Sequence, residues 1–304
     1  MKSNLAIIIP FFKVAFFAKT LESLAHQTKK EFKVYIGDDA SPEDCSLLLE
    51  KYKGKFDFVY YRFENNLGGT SLTQQWDRCI SLMAMEEWFM ILGDDDYLGD
   101  TVVEEFYTAI AVDTKETDVI RNASLLINQE GDPISAIYKH PQYEEAIASY
   151  CRKLNNETRS SLSEHIFRTS AYKKYGFKDY KLAWSSDDRA IIDFSSGKPI
   201  LSTDAIVYVR MSELNISGGK DNIQEKISGR LAGTYDLLKD YSSKMNIEQI
   251  KLFIALYENL IYRSASLQLK HSNYLLQLSI KYFGIQYAVK QLQSLIHKLV
   301  SKPE

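Results

Sequence analysis

Three consecutive carboxylates, Asp94-Asp95-Asp96, follow an apolar run and a glycine. Adjacent carboxylates repel one another unless a cation neutralises them. A hard divalent ion, Mg²⁺ or Mn²⁺, does so when one or two carboxylates hold it and the phosphates of a substrate complete its shell. The triplet therefore predicts a site for a divalent ion. The alternative is a solvated acidic turn ahead of a helix that Asp100 and Thr101 cap.

Two further acidic pairs could do chemistry. Asp38-Asp39 follows a short apolar segment, where a carboxylate can accept hydrogen bonds from a ribose or a base edge. The alternative is that one of the two caps the next helix. Asp187-Asp188, after two serines, opens a predicted helix, and a carboxylate there can act as a general base if the fold brings it to the same site. The alternative for this pair is N-capping.

Other catalytic signatures are absent from the sequence. There is no Gly-x-Ser-x-Gly elbow, no Gly-x-x-x-x-Gly-Lys phosphate loop and no Gly-x-Gly-x-x-Gly turn. The histidines nearest the acidic motifs, His26, His140 and His165, lack metal-ligand spacing and are interpreted as surface or core residues. Nucleophilic hydrolases, P-loop enzymes and nicotinamide dehydrogenases are disfavoured accordingly.

Short apolar runs alternate with helical patterns in the first hundred residues. Strands are predicted over residues 5–9, 32–36, 58–63 and 88–92, and helices over 15–27, 45–52 and 71–85. Ser41 reads as the N-cap of the second helix, with Pro42 at its first position. This alternation predicts crossover units and a mainly parallel sheet covered on both faces.

Polar residues follow each predicted strand, and ligands of such sheets bind beyond the carboxyl ends of the strands. The acidic motifs should therefore gather at one edge of the sheet. Farther along, the sequence predicts a hairpin over residues 124–137, a helix over 143–154, a short helix over 187–194 and late strands over 200–202 and 206–210.

The composition limits the partners and the compartment. The chain has 304 residues and a net charge of −3, so it has no global field to hold nucleic acid. Three widely spaced cysteines, Cys45, Cys79 and Cys151, indicate neither a disulfide framework nor a zinc site and favour a reducing compartment, the cytoplasm. The apolar run over 5–12 contains Pro10 and is too short for a transmembrane helix, so it is interpreted as a buried strand.

The sequence changes character after Ser217-Gly218-Gly219. Residues 1–217 are predicted to form one domain, and residues 218–304, with helical periodicity and few turn signals, a helical C-terminal extension. The tail over 274–302 has apolar residues at helical spacing with several lysines. It can lie on a membrane surface, or it can pack against the rest of the chain or a second copy in a homodimer.

Taken together, these stretches resemble glycosyltransferase family two, the inverting enzymes with the type A (GT-A) nucleotide-sugar fold. The opening strand with Pro10, the helix that ends near Gln27-Thr28 and the strand that runs into Asp38-Asp39 resemble its first block. The segment from Asn65 through the acidic triplet resembles the metal block, and residues 165–200 resemble the acceptor-side block with its acid pair. The resemblance covers about residues 3–217, with four modest motifs in the correct order.

The resemblance implies a role for each matching residue. Pro10 and Phe12 would line the nucleoside pocket, Asp39 with Asp38 would hold the base or ribose, and Arg78 would contact the donor diphosphate or sugar. The other acids have the remaining implied roles. Asp94 and Asp96 would be the acids of the metal site, with Asp96 as the direct ligand, and Asp95 would contact the ribose or the donor sugar. Asp188 would be the catalytic base, and Asp187 would support it.

The chain departs from the family pattern in three places. Gly93 stands where the family often has an aspartate, so the register of the triplet is open by one residue. The acid pair is Asp-Asp rather than Glu-Asp. Ser212 replaces a histidine that some members use near the metal, which leaves the ion more dependent on the triplet and the diphosphate.

The implied function is transfer of a sugar, with inversion, from a nucleotide-sugar donor, a UDP-sugar in the first instance, to an acceptor hydroxyl. The resemblance also implies a glycan or lipid-linked acceptor in the assembly of a bacterial surface polysaccharide at the cytoplasmic face of the membrane. One alternative is a non-catalytic nucleotide- or carbohydrate-binding module. Another is a sugar nucleotidyltransferase, although Pro10-Phe11-Phe12-Lys13 lacks the glycine-rich triphosphate loop of that class.

Overall fold

The first four strands are short segments that pair in parallel, and three of the four are buried. In the computed structural model, which describes residues 4–213, 222–264 and 268–300, β1 pairs with both β2 and β4, and β2 pairs with β3. Each connection contains a helix, as crossover units require. The bounds are β1 Leu5–Phe11, α1 Phe17–His26, β2 Phe32–Asp38, α2 Ser46–Glu50, β3 Asp57–Arg62, α3 Leu72–Ile80 and β4 Trp88–Ile91.

The second half of the sheet mixes strand directions. The strand order is β3-β2-β1-β4-β8-β6-β9-β5, with β7 beside β9. β8 is antiparallel to both β4 and β6, and β9 is parallel to β6. The predicted α/β class with a mostly parallel sheet is confirmed. The bounds are β5 Tyr97–Leu98, α4 Val102–Val112, β6 Val119–Ile127, β7 Tyr143–Glu144, α5 Ala146–Leu154, β8 His165–Arg168, α6 Thr169–Tyr175, α7 Ser186–Phe194 and β9 Ile200–Arg210.

The antiparallel placement of β8 decides what meets at the functional edge of the sheet. Met90 pairs with Ile166, so the start of β8 lies beside the carboxyl end of β4. The residues just before β8 therefore approach the acidic triplet that follows β4. No local pattern in the sequence indicates this approach, because it depends on the pairing of strands about 75 residues apart.

A continuous apolar core supports this edge. The side chains of Ile7, Ile9, Val34 and Met90 are fully buried, and Phe17 of α1 packs on Phe11 with ring centroids 4.7 Å apart. Burial of a large apolar side chain contributes about 1.5–3 kcal/mol. The strand ends are consequently held by a packed interior rather than by the loops.

Several predicted boundaries need correction. α2 begins at Ser46, not at Pro42, because Ser41 is used otherwise: its N–H donates to Asp38 and its hydroxyl to the carbonyl of Phe12. The two late strands are one long strand, β9, with a register shift in its partner between Arg121 and Ala123. The predicted hairpin over 124–137 includes only the end of β6, where Ser124 bridges Tyr138 and Ile127 bridges Pro133 in antiparallel fashion. The start of β6 and all of β8 were not predicted as strands.

The C-terminal part of the chain is helical, as predicted. Within the described ranges, residues 180–185 group with the helices after residue 222 as one compact unit, and the remaining residues form the other. The predicted boundary at Ser217 lies outside the described residues and stays a prediction. No helix in the described part of the chain is long and apolar enough to cross a membrane. The helices are α8 Ile223–Tyr241, α9 Ile247–Arg263, α10 Leu269–Phe283 and α11 Ile285–Val300.

Within this helical unit, α8 packs closely on the segment 180–185. Leu182, Ala183 and Ser185 of that segment all adopt positive φ angles, a strained conformation for residues other than glycine. A Cβ at Gly229 would lie 2.5 Å from the carbonyl oxygen of Lys181. The absence of a side chain at Gly229 therefore allows the helix to hold the strained segment.

We expect Gly229→Ala to lower the free energy of unfolding of the helical unit by about 1–3 kcal/mol, because the new methyl group overlaps backbone that cannot easily move. Urea denaturation of the full chain, followed by circular dichroism, measures the change. Ser228→Ala, on an exposed neighbouring residue, is the control and should leave the midpoint unchanged. A Gly229→Ala midpoint equal to that of wild type would contradict this account of the contact.

Candidate functional site

A cavity of about 410 Å³ opens at the carboxyl edge of the parallel strands. Its size is within the range of pockets that bind small molecules and cofactors. Its wall combines residues from after β1, β2, β3 and β4 with two residues from before β8. The lining residues used below are Pro10, Phe12, Lys13, Asp39, Asn66, Gly68, Trp76, Asp94, Asp95 and Ser163.

Asp94 shapes the wall that contains Phe12. Its Oδ2 accepts hydrogen bonds from the backbone N–H groups of Phe12 and Lys13, both at 2.8 Å. Burial and the neighbouring charge of Asp95 raise the pKa of Asp94 to about 7, although these two hydrogen bonds oppose the shift. Asp94 thus couples the turn after β1 to the acidic triplet after β4.

Asp39 organises the loop that follows β3. Its carboxylate accepts from the N–H of Leu67 at 2.7 Å and of Gly68 at 2.9 Å, and it also pairs with Arg78. A Cβ at Gly68 would lie 2.5 Å from Asp39 Oδ2, so the close approach of this loop requires glycine. The loop and Asp39 form one wall of the cavity.

Two of the predicted ligand contacts have other partners. Asp38 is fully buried and accepts from Tyr60 at 2.5 Å, Arg62 at 2.7 Å and the N–H of Ser41 at 2.8 Å. Arg78 binds Asp39 and Asn65. Neither Asp38 nor Arg78 lines the cavity. Asp38 is thus engaged with the loop after β2 and Arg78 with Asp39, and the expected contacts of both residues to the donor stay predictions.

The acidic triplet divides between the cavity and the interior. Asp94 and Asp95 line the cavity, whereas Asp96 does not and is only 6% exposed. Asp96 accepts from Ser163 Oγ at 2.5 Å and from the N–H of Arg210 at 2.8 Å. Burial, with the nearby charge of Asp95, raises the pKa of Asp96. Both carboxylate oxygens of Asp96 are therefore engaged within the protein, and its role as the direct metal ligand stays a prediction.

Ser163 is a site residue that the sequence did not indicate. It lines the cavity, accepts from the N–H of Gly93 at 3.3 Å and donates to Asp96. Its neighbour Glu164 is fully buried and pairs with Arg159 at 3.2 Å. Burial opposes ionisation of Glu164, but Arg159, His165 and the hydrogen bonds from Ser161 together outweigh it and lower the pKa of Glu164 to about 2. Only the pairing of β8 with β4 brings these residues to the site.

The acid pair Asp187-Asp188 lies in the first turn of α7, as predicted, and outside the cavity wall. Asp188 is 9% exposed and accepts from Lys153 Nζ of α5 at 2.6 Å. Burial and the charge of Asp188 raise the pKa of Asp187, and Glu164 contributes in the same direction. Glu164 is the neighbour of Ser163, so the acid pair lies within electrostatic range of the residues that precede β8.

Five of the predicted site residues line the same cavity: Pro10, Phe12, Asp39, Asp94 and Asp95. Asp96 is linked to it through Ser163. Among the described residues, no group of three or more His, Cys, Asp or Glu side chains has an arrangement that could hold a metal by itself.

The sequence of the chain is similar to those of known proteins. Residues 6–180 match the model of glycosyl transferase family 2. Two curated relatives from Staphylococcus aureus, strains Mu50 and MW2, are named poly(ribitol-phosphate) beta-N-acetylglucosaminyltransferase TarS. Each is 28% identical over 173 residues, which is 55% of this chain and 28% of the relative. The chain therefore spans little more than a quarter of their length.

Solved structures share the fold over almost the whole chain. TarS 1–349 from S. aureus in complex with UDP-GlcNAc has a TM-score of 0.68 at 15% identity, covering 99% of this chain and 88% of that one. The mannosyltransferase PcManGT from Pyrobaculum calidifontis, in complex with GDP-Man and Mn²⁺, has a TM-score of 0.54 at 10% identity, covering 99% and 87%. At these identities the likeness concerns the fold.

Proposed function

The chain belongs to glycosyl transferase family 2, and from this membership we propose that it transfers a sugar, with inversion, from a UDP-sugar to an acceptor hydroxyl. The observation that carries the proposal is the convergence of Asp39, Asp94 and Asp95 on one cavity at the carboxyl edge of the sheet. An acid pair that can supply a general base lies at the start of α7.

The cavity suits the nucleoside part of such a donor. Pro10 and Phe12 offer apolar surface on one wall, and the loop around Gly68 forms another. Asp39 is held by that loop, and its carboxylate is an acceptor for an N–H of a base or a hydroxyl of a ribose. The complex of TarS with UDP-GlcNAc supports a UDP-sugar as the donor.

A divalent ion, Mg²⁺ or Mn²⁺, fits the donor set of the acidic triplet when a diphosphate completes the shell. Carboxylate oxygens are the hard ligands these ions prefer. We assign Asp95, with Asp94, to hold the ion, because Asp96 is engaged by Ser163 and Arg210. When bound, the ion supplies Lewis-acid stabilisation of the charge that develops on the leaving diphosphate. The buried hydroxyl of Ser212, two residues after Arg210, has no hydrogen-bond partner in the described part of the chain.

The acceptor hydroxyl must lose its proton as it attacks, and we assign Asp188 as the base that takes it, with Asp187 as its supporting neighbour. One attack on the face opposite the leaving group inverts the anomeric centre, so one base suffices. The hydroxyl O–H bond and the sugar–phosphate bond break, and a new bond forms between the hydroxyl oxygen and the anomeric carbon. The bonding electrons leave with the nucleoside diphosphate.

We propose a bacterial surface glycan as the acceptor class, assembled in the cytoplasm or at the inner face of the membrane. The names of the TarS relatives support a hydroxyl on a glycan or polyol polymer, lipid-linked or free. Ile280, Ile285 and Val289 are exposed near lysines on α10 and α11. Peripheral membrane contact and homodimer formation through these helices stay predictions.

Nucleotide release from a panel of nucleotide sugars, with Mn²⁺ or with chelator, tests the proposal. We expect UDP release from a UDP-sugar, at least about tenfold faster with Mn²⁺ than with chelator, because without a cation the carboxylates repel the negatively charged diphosphate. Equal rates with and without chelator would contradict the metal assignment. Tight nucleotide binding without release from any donor would indicate a binding module. Synthesis of a nucleotide sugar from a nucleoside triphosphate and a sugar 1-phosphate would indicate a nucleotidyltransferase.

A further inference from the structure

Lys153, in the last turn of α5, forms a direct ion pair with the acid that is assigned as the base. Its Nζ lies 2.6 Å from Asp188 Oδ1, and the two side chains are 25% and 10% exposed. A pair this short and this sheltered is screened much less by solvent than a surface pair. Lys153 does not line the donor cavity. Lys153 therefore contacts the assigned base and does not form part of the nucleotide cavity.

The other titratable groups around this pair come from four parts of the chain. Asp187 lies next to Asp188 on α7 itself, and Tyr150 of α5 lies beside Lys153. Ahead of β8, Glu164 is paired with Arg159, and burial lowers the pKa of His165 to about 4, which keeps this histidine neutral. Farther along α7, an ion pair joins Arg189 and Asp193, and Tyr175 of α6 faces Asp193.

Two adjacent carboxylates without a cation cannot both stay ionised easily at neutral pH. Lys153 supplies a cation at hydrogen-bond distance from one of them. Burial disfavours the charged form of Lys153, but Asp188 and Asp187 outweigh it and raise the lysine pKa. Lys153 is thus protonated throughout the neutral range.

We propose that Lys153 is a positioning residue for sugar transfer, which holds Asp188 as an ionised, oriented carboxylate through Oδ1 and leaves Oδ2 to accept the proton of the attacking hydroxyl. This inference rests on the proposed function. In the transfer step the proton moves from the hydroxyl to Asp188 and Lys153 keeps its own proton. Afterwards the ammonium group favours loss of that proton to water, because it stabilises the carboxylate form.

Removing the cation should change the pH dependence of the reaction. Asp188 acts as a base only in its carboxylate form, so the rate falls when acid protonates it. Lys153→Met keeps most of the side-chain volume and removes the cation that lies 2.6 Å from Oδ1, which favours protonation of the carboxyl group. The fall in rate should therefore move to higher pH, by about one unit or more.

The experiment measures UDP release from UDP-GlcNAc, with water as acceptor and saturating Mn²⁺, between about pH 5.5 and pH 9.5. For Lys153→Met we expect a loss on the order of tenfold near neutral pH, with recovery toward the wild-type rate at the alkaline end. Lys153→Arg keeps the cation and should retain the wild-type profile. Lys173→Met, on an exposed lysine, is the control, and UDP affinity should be the same in all variants.

A uniform loss at every pH in Lys153→Met, or an unshifted profile, would overturn the proposal. A ¹³C titration of the aspartate carboxyl groups in wild type and Lys153→Met tests the same inference without turnover, and its midpoint should rise in the variant. An unchanged midpoint also overturns it. A wild-type protein that releases nucleotide from no donor would instead contradict the proposed function, and the titration would still decide the role of Lys153.

Discussion

Asp188→Asn should lower the rate of sugar transfer on the order of 10³-fold, while the affinity for UDP changes less than about twofold. The amide cannot take the proton of the acceptor hydroxyl. Its oxygen can still accept from Lys153, so the local geometry is kept. Asp188 lies outside the cavity wall, and its loss should not disturb the donor. Initial rates of transfer and calorimetry with UDP measure the two effects separately.

Two comparisons make this result specific to the base. Asp204→Asn, on an exposed acid, should leave the rate unchanged. Asp187→Asn should have a smaller effect than Asp188→Asn, because it removes the repulsion between neighbours and keeps the base. If Asp187→Asn abolished transfer while Asp188→Asn kept it, the assignment of the two roles would have to be reversed. If UDP affinity collapsed in Asp188→Asn while transfer persisted, the residue would belong to the donor site.

Asp39→Ala should weaken UDP binding by about 30- to 100-fold, with a smaller effect on the turnover of bound donor. The carboxylate receives two loop N–H groups and the guanidinium of Arg78, so its removal frees the loop around Gly68 as well as one acceptor to the nucleoside. Hydrogen bonds to charged groups contribute about 1.5–3 kcal/mol each, which gives the expected range. Calorimetry with UDP and the KM for the UDP-sugar both report the change.

The matched control for Asp39→Ala is Asp57→Asn, at the opposite end of the parallel strands. Its side chain is 70% exposed, and the variant should bind UDP like wild type. Circular dichroism and the unfolding midpoint show whether the Asp39 variant remains folded. Wild-type UDP affinity in a folded Asp39→Ala variant would show that the nucleoside does not use this wall of the cavity.

Much of the fold could be predicted because its signals are local. The runs that became β1, β2 and β4 are short, apolar and buried, that of β3 is short and partly exposed, and helical patterns separate the four. The C-terminal helices carry their own periodicity, and Asn246 with Gln249 forms a capping box at the start of α9. The start of α2 was predicted wrongly, because Ser41 is held by Asp38 and the carbonyl of Phe12 and the helix begins only at Ser46.

The sequence predicted which residues belong to the candidate site better than it predicted how they are arranged. Acidic residues after strands identify an edge of the sheet, and five predicted residues line the cavity there. The direction of each carboxylate was not predictable. Tyr60 and Arg62 on the neighbouring strand engage Asp38, and Arg210, more than a hundred residues away, engages Asp96.

By itself, the amino-acid order determined the alternating strands and helices, the clustering of acids at the ends of strands and the helical character of the C-terminal part. Only the tertiary structure decided that β8 runs antiparallel beside β4, that Ser163 therefore reaches Asp96, and that Lys153 meets Asp188. The physical reason is the range of the interactions. Periodicity and capping act within a few residues, whereas the partner of a buried carboxylate depends on which distant segments the packed core brings together.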